Sequence, residues 1–484
     1  MSPTSSTRKT TGTTDDPTIL DQFIAERLPG WLRTASRDQA RAVSAALIRH
    51  QASLEALTEL FQLLQSPDVF AAPLLDKALR DTLGLQLDTR AAHWKEVRLR
   101  QYRPGLSATP MPYLEAIEIQ SPLLQRALQN FSETAGGYWG FFRGTAIVSA
   151  GQALGVAPER FAGLCRTLDL GQKYQAHLDS VLDPPDDALK RQRHALLARE
   201  QRDQLDVAAQ VGYLKKDIDE VAYRMLRQVV DGASQVTYAE HPVRVRSIEV
   251  LGQQVQGAVA FLARGEPLEG AIRWTEAGLV RQVVVFLPGD PQRPLRQYPT
   301  WYACATDLGL ALKSADYLSY FQGLISLQER AAFGAAWQAQ RDAARPDLEL
   351  LDYPLAGELF ASLAQWRIAR LKADAAVLAV PTARVDDALA EARREAYLAA
   401  GETLLGIAAS FVPGVGQIML LSSVGQLLGE VYEGAVDWSK GQRKEALAHL
   451  TGVAENVLAS VATGAGVAGL VAVAKRSAFV DGLM

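Results

Sequence analysis

From Thr18 to about Leu87 the apolar side chains return every three or four positions: Leu20, Phe23, Ile24 and Leu28, then Val43, Ala46, Leu47, Leu54, Leu57, Leu60, Phe61 and Leu64. That is the period of a helix with one buried face. Pro29-Gly30 interrupts the run and Ser36 to Asp38 supplies capping side chains, so the pattern predicts an opening helical hairpin. Arg98 to Pro112 reads as a loop and Leu114 to Phe131 as a further helix. Asp186 to Val230 predicts one long charged helix. On it Leu189, Leu196, Leu197, Leu205, Val207 and Val211 face inward, and Lys190, Arg191, Arg193, Arg199 and Glu200 face water.

The period then changes. Val243 to Val250, Val255 to Leu262 and Val280 to Leu287 are rich in Val, Ile and Phe and broken by Gly and Pro, which predicts strands of a small antiparallel sheet. Pro288-Gly289-Asp290-Pro291 is a turn that ends it. Helices resume near Tyr302, include Leu318 to Trp337, pause at Pro346 and Pro354, and run from Leu355 to about Leu378 before Val380-Pro381-Thr382 closes the block. The expected fold is mainly α and multi-domain, with a small antiparallel β-sheet inserted around residues 243–290 and an apolar C-terminal helical hairpin. Its expected parts are a disordered N-terminus (1–17), a helical N-terminal domain (18–235), an α+β domain with the small sheet (236–384) and the hairpin region (385–484). The length of 484 residues fits about three cores.

The hairpin region stands apart in composition. Residues 404–428 contain no Lys, Arg, Asp or Glu, and neither do residues 456–474. Each run is close to the ~20 residues needed to cross a bilayer as a helix. The side chains expected to meet lipid are Leu404, Leu405, Ile407, Phe411, Val412, Pro413, Ile418, Leu420 and Leu421 in the first run, and Val457, Leu458, Val467, Leu470 and Val471 in the second. A charge in hydrocarbon costs on the order of 3 kcal/mol. Protonating Glu402, Glu430, Glu433, Asp437 and Glu455 at endosomal pH therefore eases insertion, and His449 is placed to respond to mild acid. The other reading of the same runs is a buried hairpin of a helical domain that never meets lipid.

Composition removes several function classes. With 48% hydrophobic and 21% charged residues the chain is a folded protein. A net charge of -4 supplies no field for a polyanion, so nucleic acid is not an expected partner. Cys165 and Cys304 form no CxxC pair and are expected as buried small apolar groups. The six histidines lack ligand spacing, so no metal site is assigned. No Walker A, HExxH or G-x-S-x-G motif occurs, and no catalytic residue is assigned. Gly464 to Gly469 matches G-x-G-x-x-G, but residues 470–484 are too few to complete a βαβ unit, so no cofactor is assigned. An enzyme with an unrecognised site stays open through a pocket that gathers His177, Asp183, Glu200 or similar groups. The aromatics of Gly136 to Gly144 are expected in a core, and Asp183 to Asp187 is expected as a helix-capping turn. Met1 to Asp16 is polar and lacks an apolar h-region, so no cleavable signal peptide is read there and export would need a non-classical route.

Four segments, taken in order, carry a resemblance. They are Leu28-Pro29-Gly30-Trp31-Leu32; Val283 to Pro291 followed by Pro294-Leu295; Tyr317 to Phe321; and Phe411-Val412-Pro413-Gly414. Together they resemble the dermonecrotic-toxin-like domain of large toxins and leucine-rich-repeat effectors of pseudomonads. The resemblance implies a secreted bacterial protein, cytoplasmic before export, that acts in or on a target cell as a delivery or targeting part. It transfers no catalytic residue, because Cys304-Ala305-Thr306-Asp307 departs from the C-x-D spacing of the ligase domain attached to some relatives. The last ten residues read as the start of another segment, as in an excised fragment. Two functions are carried forward. One is a non-catalytic translocation or membrane-interaction module with membrane lipid as partner. The other is a soluble scaffold for a host protein, a chaperone or a downstream toxin domain.

Overall fold

Two antiparallel sheets, of four and six strands, run through a helical surround in the computed structural model of the chain, which describes residues 31–385 apart from 32–33, 103–112, 137–139, 142, 265–279 and 356. The expectation of a mainly α chain with one small sheet is thereby overturned, and the fold is mixed α/β. Helix α1 (Arg37–Gln62) starts on Ser36 in a capping box: the Ser36 hydroxyl accepts the Gln39 N–H, and the Gln39 side chain accepts the Ser36 N–H. Helix α2 (Pro67–Leu83) ends at Gly84, whose φ of +68° suits a residue without Cβ. The helix expected after Ser36 is present, and the arm of the expected hairpin before Pro29-Gly30 lies outside the described residues.

The sheet that follows was not expected. Strands β1 (His93–Tyr102) and β2 (Tyr113–Pro122) pair over their whole length, from His93 opposite Pro122 to Tyr102 opposite Tyr113. Strands β3 (Ala146–Ser149) and β4 (Gln152–Ala153) complete the order β2-β1-β3-β4. The expected loop over Arg98 to Pro112 therefore begins inside a strand. Of the expected helix Leu114 to Phe131, only α3 (Leu123–Gln129) is helical. Leu114, Ala116, Ile117 and Ile119 fit period two and period 3.6 equally badly over so short a stretch, and the cross-strand partner decides.

Helices α4 (Pro158–Leu168) and α5 (Leu170–Leu182) lead to α6 (Asp187–Lys215) and α7 (Glu220–Val230). Asp186 caps α6 through the Leu189 N–H, as expected of that turn. The single helix expected over Asp186 to Val230 is two, because Lys216 at φ +64° stops α6 and Asp219 caps α7. The six-stranded sheet has the order β10-β6-β7-β8-β9, with β5 (Thr237–Tyr238) also paired to β6. Strands β6 (His241–Val250), β7 (Gln253–Arg264) and β8 (Val280–Phe286) are the three expected ones. The sheet is larger than expected because β9 (Leu295–Tyr298) and β10 (Leu351–Pro354) extend its edges. Helices α8 (Trp301–Ala311), α9 (Ala315–Gly323), α10 (Arg330–Gln340), α11 (Leu359–Leu378) and α12 (Thr382–Val385) complete the described residues. The one helix expected over Leu318 to Trp337 is thus divided between α9 and α10.

Both faces of the larger sheet are covered, which explains the unbroken Val283-Val284-Val285-Phe286. Ala260, Leu262, Val283 and Val285 pack with Leu308, Tyr317, Phe321 and Phe333 of α8 to α10. Their strand neighbours Val259, Phe261, Val284 and Phe286 pack with Leu205, Leu226 and Phe360 of α6, α7 and α11. A separate cluster joins Leu75, Trp94, Leu124, Phe161, Tyr174 and Ile368, from α2, β1, α3, α4, α5 and α11. Among the described residues no helix is long and apolar enough to cross a membrane. The apolar runs 404–428 and 456–474, with every lipid-facing and acid-switch residue expected there from Glu402 to Val471, lie outside the described residues. So does the N-terminus expected to be disordered.

The segment that leads out of α11 crosses the start of α5 at close range. A Cβ on Gly171 would sit 2.3 Å from Pro381 N and from the Val380 carbonyl carbon, both backbone atoms that cannot swing aside. Gly163, in the middle of α4, has nothing within 4 Å of the same position. Gly171→Ala is therefore expected to destabilise the protein by about 1–3 kcal/mol. Gly163→Ala is expected to stabilise it by about 0.5–1 kcal/mol, as an exposed helix-interior change. Urea unfolding midpoints of the two variants against the parent check both signs.

Candidate functional site

The turn Leu287 to Pro291 delivers one side chain into the interior. Asp290 is fully buried; its Oδ1 accepts the N–H groups of Gln292 and Arg293 at 2.8 and 2.9 Å, the arrangement that shapes the turn. Its Oδ2 accepts from Arg296 Nη2 and from the Tyr317 hydroxyl, both at 2.7 Å. Arg296 is 2% exposed and reaches Asp307 with Nη1 at 2.8 Å, where Tyr298 (2.5 Å) and Arg293 (2.8 Å) also donate. Tyr320 donates to the Pro288 carbonyl. Burial opposes ionisation of Asp307, but the Tyr298 hydrogen bond and the Arg293 and Arg296 charges outweigh it and hold the pKa below the carboxylate range. Two of the segments that carry the resemblance, Val283 to Leu295 and Tyr317 to Phe321, meet in this network. No spacing in the sequence joins Arg296 or Asp307 to them.

A second polar set lies along α6. Glu200, expected to face water, is fully buried; it accepts from Arg367 Nη1 at 2.6 Å and lies 3.4 Å from His50 Nε2. Burial works against its charge, and Arg367 and His50 overcome that and lower its pKa. Asp206, also buried, takes Arg49 at 2.7 Å and Arg227. Leu189, expected to point inward, is 37% exposed. The polar face of α6 is covered by α1 on one side and α11 on the other, so the water expected along it is replaced by their cations.

The groups that would have marked an unrecognised enzyme site are dispersed. His177 accepts the Gln65 N–H at 3.2 Å and stacks on Phe70. Asp183 holds His194 at 2.8 Å, Lys190 at 3.2 Å and Lys372. Glu200 serves the α6 set. Cys165 and Cys304 are buried as expected, and burial pushes the Cys304 thiol up to about 12. Phe141 packs edge-on against Trp94 and Phe131, the core role expected of it, while Tyr138, Trp139 and Phe142 of the same stretch lie outside the described residues. Among the described residues no group of three or more His, Cys, Asp or Glu is placed to hold a metal ion.

The concave surface of most interest is a cleft of about 660 Å³. Its floor is the α6–α7 connection, Tyr213 to Asp219, and the ends of β8 and β9, with Gln282, Gln297 and Tyr298; Trp31, Thr34 and Gln39 form the opposite wall. Asp219 organises the floor. Its Oδ1 accepts the Ala222 N–H at 2.7 Å, and its Oδ2 accepts from Gln297 Nε2 at 2.7 Å and Tyr238 at 3.0 Å. Gln297 Oε1 accepts the Asp219 N–H, and its Nε2 also reaches Gln282 Oε1 at 3.3 Å. Burial disfavours the Asp219 charge, but the Ala222 and Gln297 hydrogen bonds prevail and lower its pKa. Burial and the Asp219 carboxylate push Tyr238 up to about 12. Asp217 is shifted the opposite way: burial raises it against Lys215, Arg293 and Arg296. Its carboxylate makes no hydrogen bond among the described residues. Tyr213 stacks on Tyr223 at 4.7 Å. The cleft was not legible in the sequence, because its walls come from four separated segments.

Removing one partner of a buried pair leaves the other charge stranded, at a cost of about 3–5 kcal/mol. Asp290→Ala and Arg296→Ala are each expected to destabilise by that amount, and the double variant by clearly less than the sum, as denaturant titration of the four proteins in the cycle would measure. The pH prediction concerns Asp183. Its burial is overcome by hydrogen bonds from Lys372, Lys190 and His194, which bring its pKa down to about 2 from 3.8. A carboxylate with a depressed folded-state pKa adds stability above the unfolded value and loses it as pH falls toward the folded one. The stability gap between the parent and Asp183→Asn is therefore expected to be constant above about pH 5 and to close between about pH 4 and pH 2. Urea midpoints measured across that range check it.

A search of the curated proteins gives no match. The family profile described as dermonecrotic toxin, N-terminal domain, matches residues 61–328, which include the Asp290–Arg296 network and the floor of the cleft.

Proposed function

This chain belongs to the dermonecrotic toxin N-terminal domain family, matched over more than half of its 484 residues, and we propose that it is the delivery module of its toxin rather than the toxic enzyme. As a member of that family it is a bacterial toxin module. In this reading the body 31–385 is a rigid platform that engages a target, and the region beyond it enters lipid when acidified. The observation that carries the reading is the pair of runs without ionisable residues, 404–428 and 456–474, joined by a connector that holds Glu430, Glu433, Asp437 and Glu455.

The body supports this division of labour. Its buried charges are held in fixed pairs, Asp290 with Arg296, Glu200 with Arg367 and Asp206 with Arg49, which favours a structural use of each. The segment that leads toward the apolar region is pinned to the body. The Val380 N–H donates to Leu128 O at 2.8 Å, Asn130 Nδ2 to Thr382 Oγ1 at 2.8 Å, and the Thr382 N–H to Asp169 Oδ1 at 3.0 Å. A firm root lets the following region change surroundings while the body keeps its own. A downstream toxin domain as a further partner belongs to the same proposal. A second reading, a scaffold that binds a host component, is favoured by the open polar cleft; the two are compatible.

The test is dye release from vesicles of phosphatidylcholine and phosphatidylglycerol by the full chain. Release is expected to rise several-fold between pH 7.4 and pH 5, and to fall to background for Leu420→Arg and Val467→Arg, each of which places a charge that acid does not remove in a run that must cross hydrocarbon. Release equal to that of an inert protein at both pH values would defeat the delivery reading.

A further inference from the structure

We infer that the cleft between α6–α7 and the β8–β9 edge binds a neutral saccharide, an assignment that rests on the reading of the chain as a delivery module that engages a target. A concavity of about 660 Å³ lies within the range of small-ligand sites. Its lining combines the aromatic rings of Trp31, Tyr213 and Tyr298 with the planar polar groups of Gln282, Gln297, Asp217 and Asp219. A sugar offers both complements: apolar C–H faces for rings, and hydroxyls that donate and accept.

The hydrogen bonds of the floor leave specific groups over. Asp219 and Gln297 satisfy one another, and Tyr238 completes their set. Gln282 accepts through Oε1 from Gln297, while its Nε2 has no acceptor among the described residues. The half-buried Asp217 carboxylate has no donor among them. A donor and an acceptor without a protein partner among the described residues, on the same lining, match two hydroxyls of one ring. The charges argue against a phosphate or nucleotide. Among the described residues Lys216 is the one cation on the lining, against Asp217 and Asp219, and anion sites use converging Arg or Lys donors or a helix N-terminus left open. The N-terminus of α7 is already occupied by Asp219. The floor is also held in place before a ligand arrives, which lowers the ordering cost of binding.

The experiment uses the full chain on a printed glycan array, followed by saturation-transfer NMR and calorimetry with methyl glucoside, N-acetylglucosamine, lactose and any array hit. At least one neutral saccharide is expected to bind, and Asp217→Ala and Gln282→Ala are expected to weaken it about tenfold or more, since each loses a hydrogen bond to the ligand. Among the described residues the Asp217 carboxylate has no hydrogen-bond partner and Gln282 has only the 3.3 Å bond from Gln297, so both variants are expected to shift the parent's unfolding midpoint by no more than a lost half-exposed hydrogen bond does, about 0.5–1.5 kcal/mol. Acid-driven dye release is expected to be unchanged in both, which separates failure of this inference from failure of the delivery reading. No binding by any saccharide up to about 10 mM, or binding that both variants retain in full, would overturn the inference. So would a peptide or a phosphorylated ligand that binds the cleft in place of sugars.

Discussion

Asp290 and Arg296 face one another with almost no water, and nearly every feature of the larger sheet's lower edge is tied to that contact. The carboxylate shapes the turn after β8 by accepting two backbone N–H groups, and the guanidinium sits on β9 and reaches α8 through Asp307. Tyr317 brings in α9. Two desolvated charges are stable only when the geometry and the additional hydrogen bonds are good, so the pair fixes one register for β9 against β8. β9 in turn presents Gln297 and Tyr298 to the cleft. The site therefore depends on a contact that lies behind it.

The same logic recurs along α6. A helix that reads as solvated carries Glu200 and Asp206 into the centre, and Arg367 and Arg49 arrive from helices far away in the chain to neutralise them. Such pairs add little net stability over apolar packing, but they penalise misplaced helices heavily, because a mispacked α6 would bury bare carboxylates. Specificity of this kind suits the delivery role proposed above better than a greasier interior would.

How much of this could be read from the residues depended on where the deciding partners lay. β6, β7 and β8 were legible because both faces of a covered sheet must be apolar, and Val283 to Phe286 shows that without help from anything distant. The capping turns at Ser36 and Asp186 were legible for a similar reason: cap and helix are adjacent. β1 and β2 were not, since the turn residues of Arg98 to Pro112 read as a loop and Leu114 to Phe131 as a helix, and only their pairing reveals strands. Glu200 was misread because its cation lies 167 positions away. The cleft was invisible, being assembled from segments near residues 31–39, 213–219, 282 and 297–299. The family was legible in short phrases, and two of those phrases meet at the Asp290 network.

The central claim is that a fixed body carries a region able to exchange protein surroundings for lipid. Hydrogen exchange of the full chain with anionic vesicles, compared at neutral and endosomal pH, tests it most directly. The account predicts that amides of 404–428 and 456–474 gain protection with vesicles at acid pH only, while those of β6 to β9 and α6 stay as slow as before. Unchanged exchange in the two apolar runs, or a general loss of protection across the body under the same conditions, would contradict it.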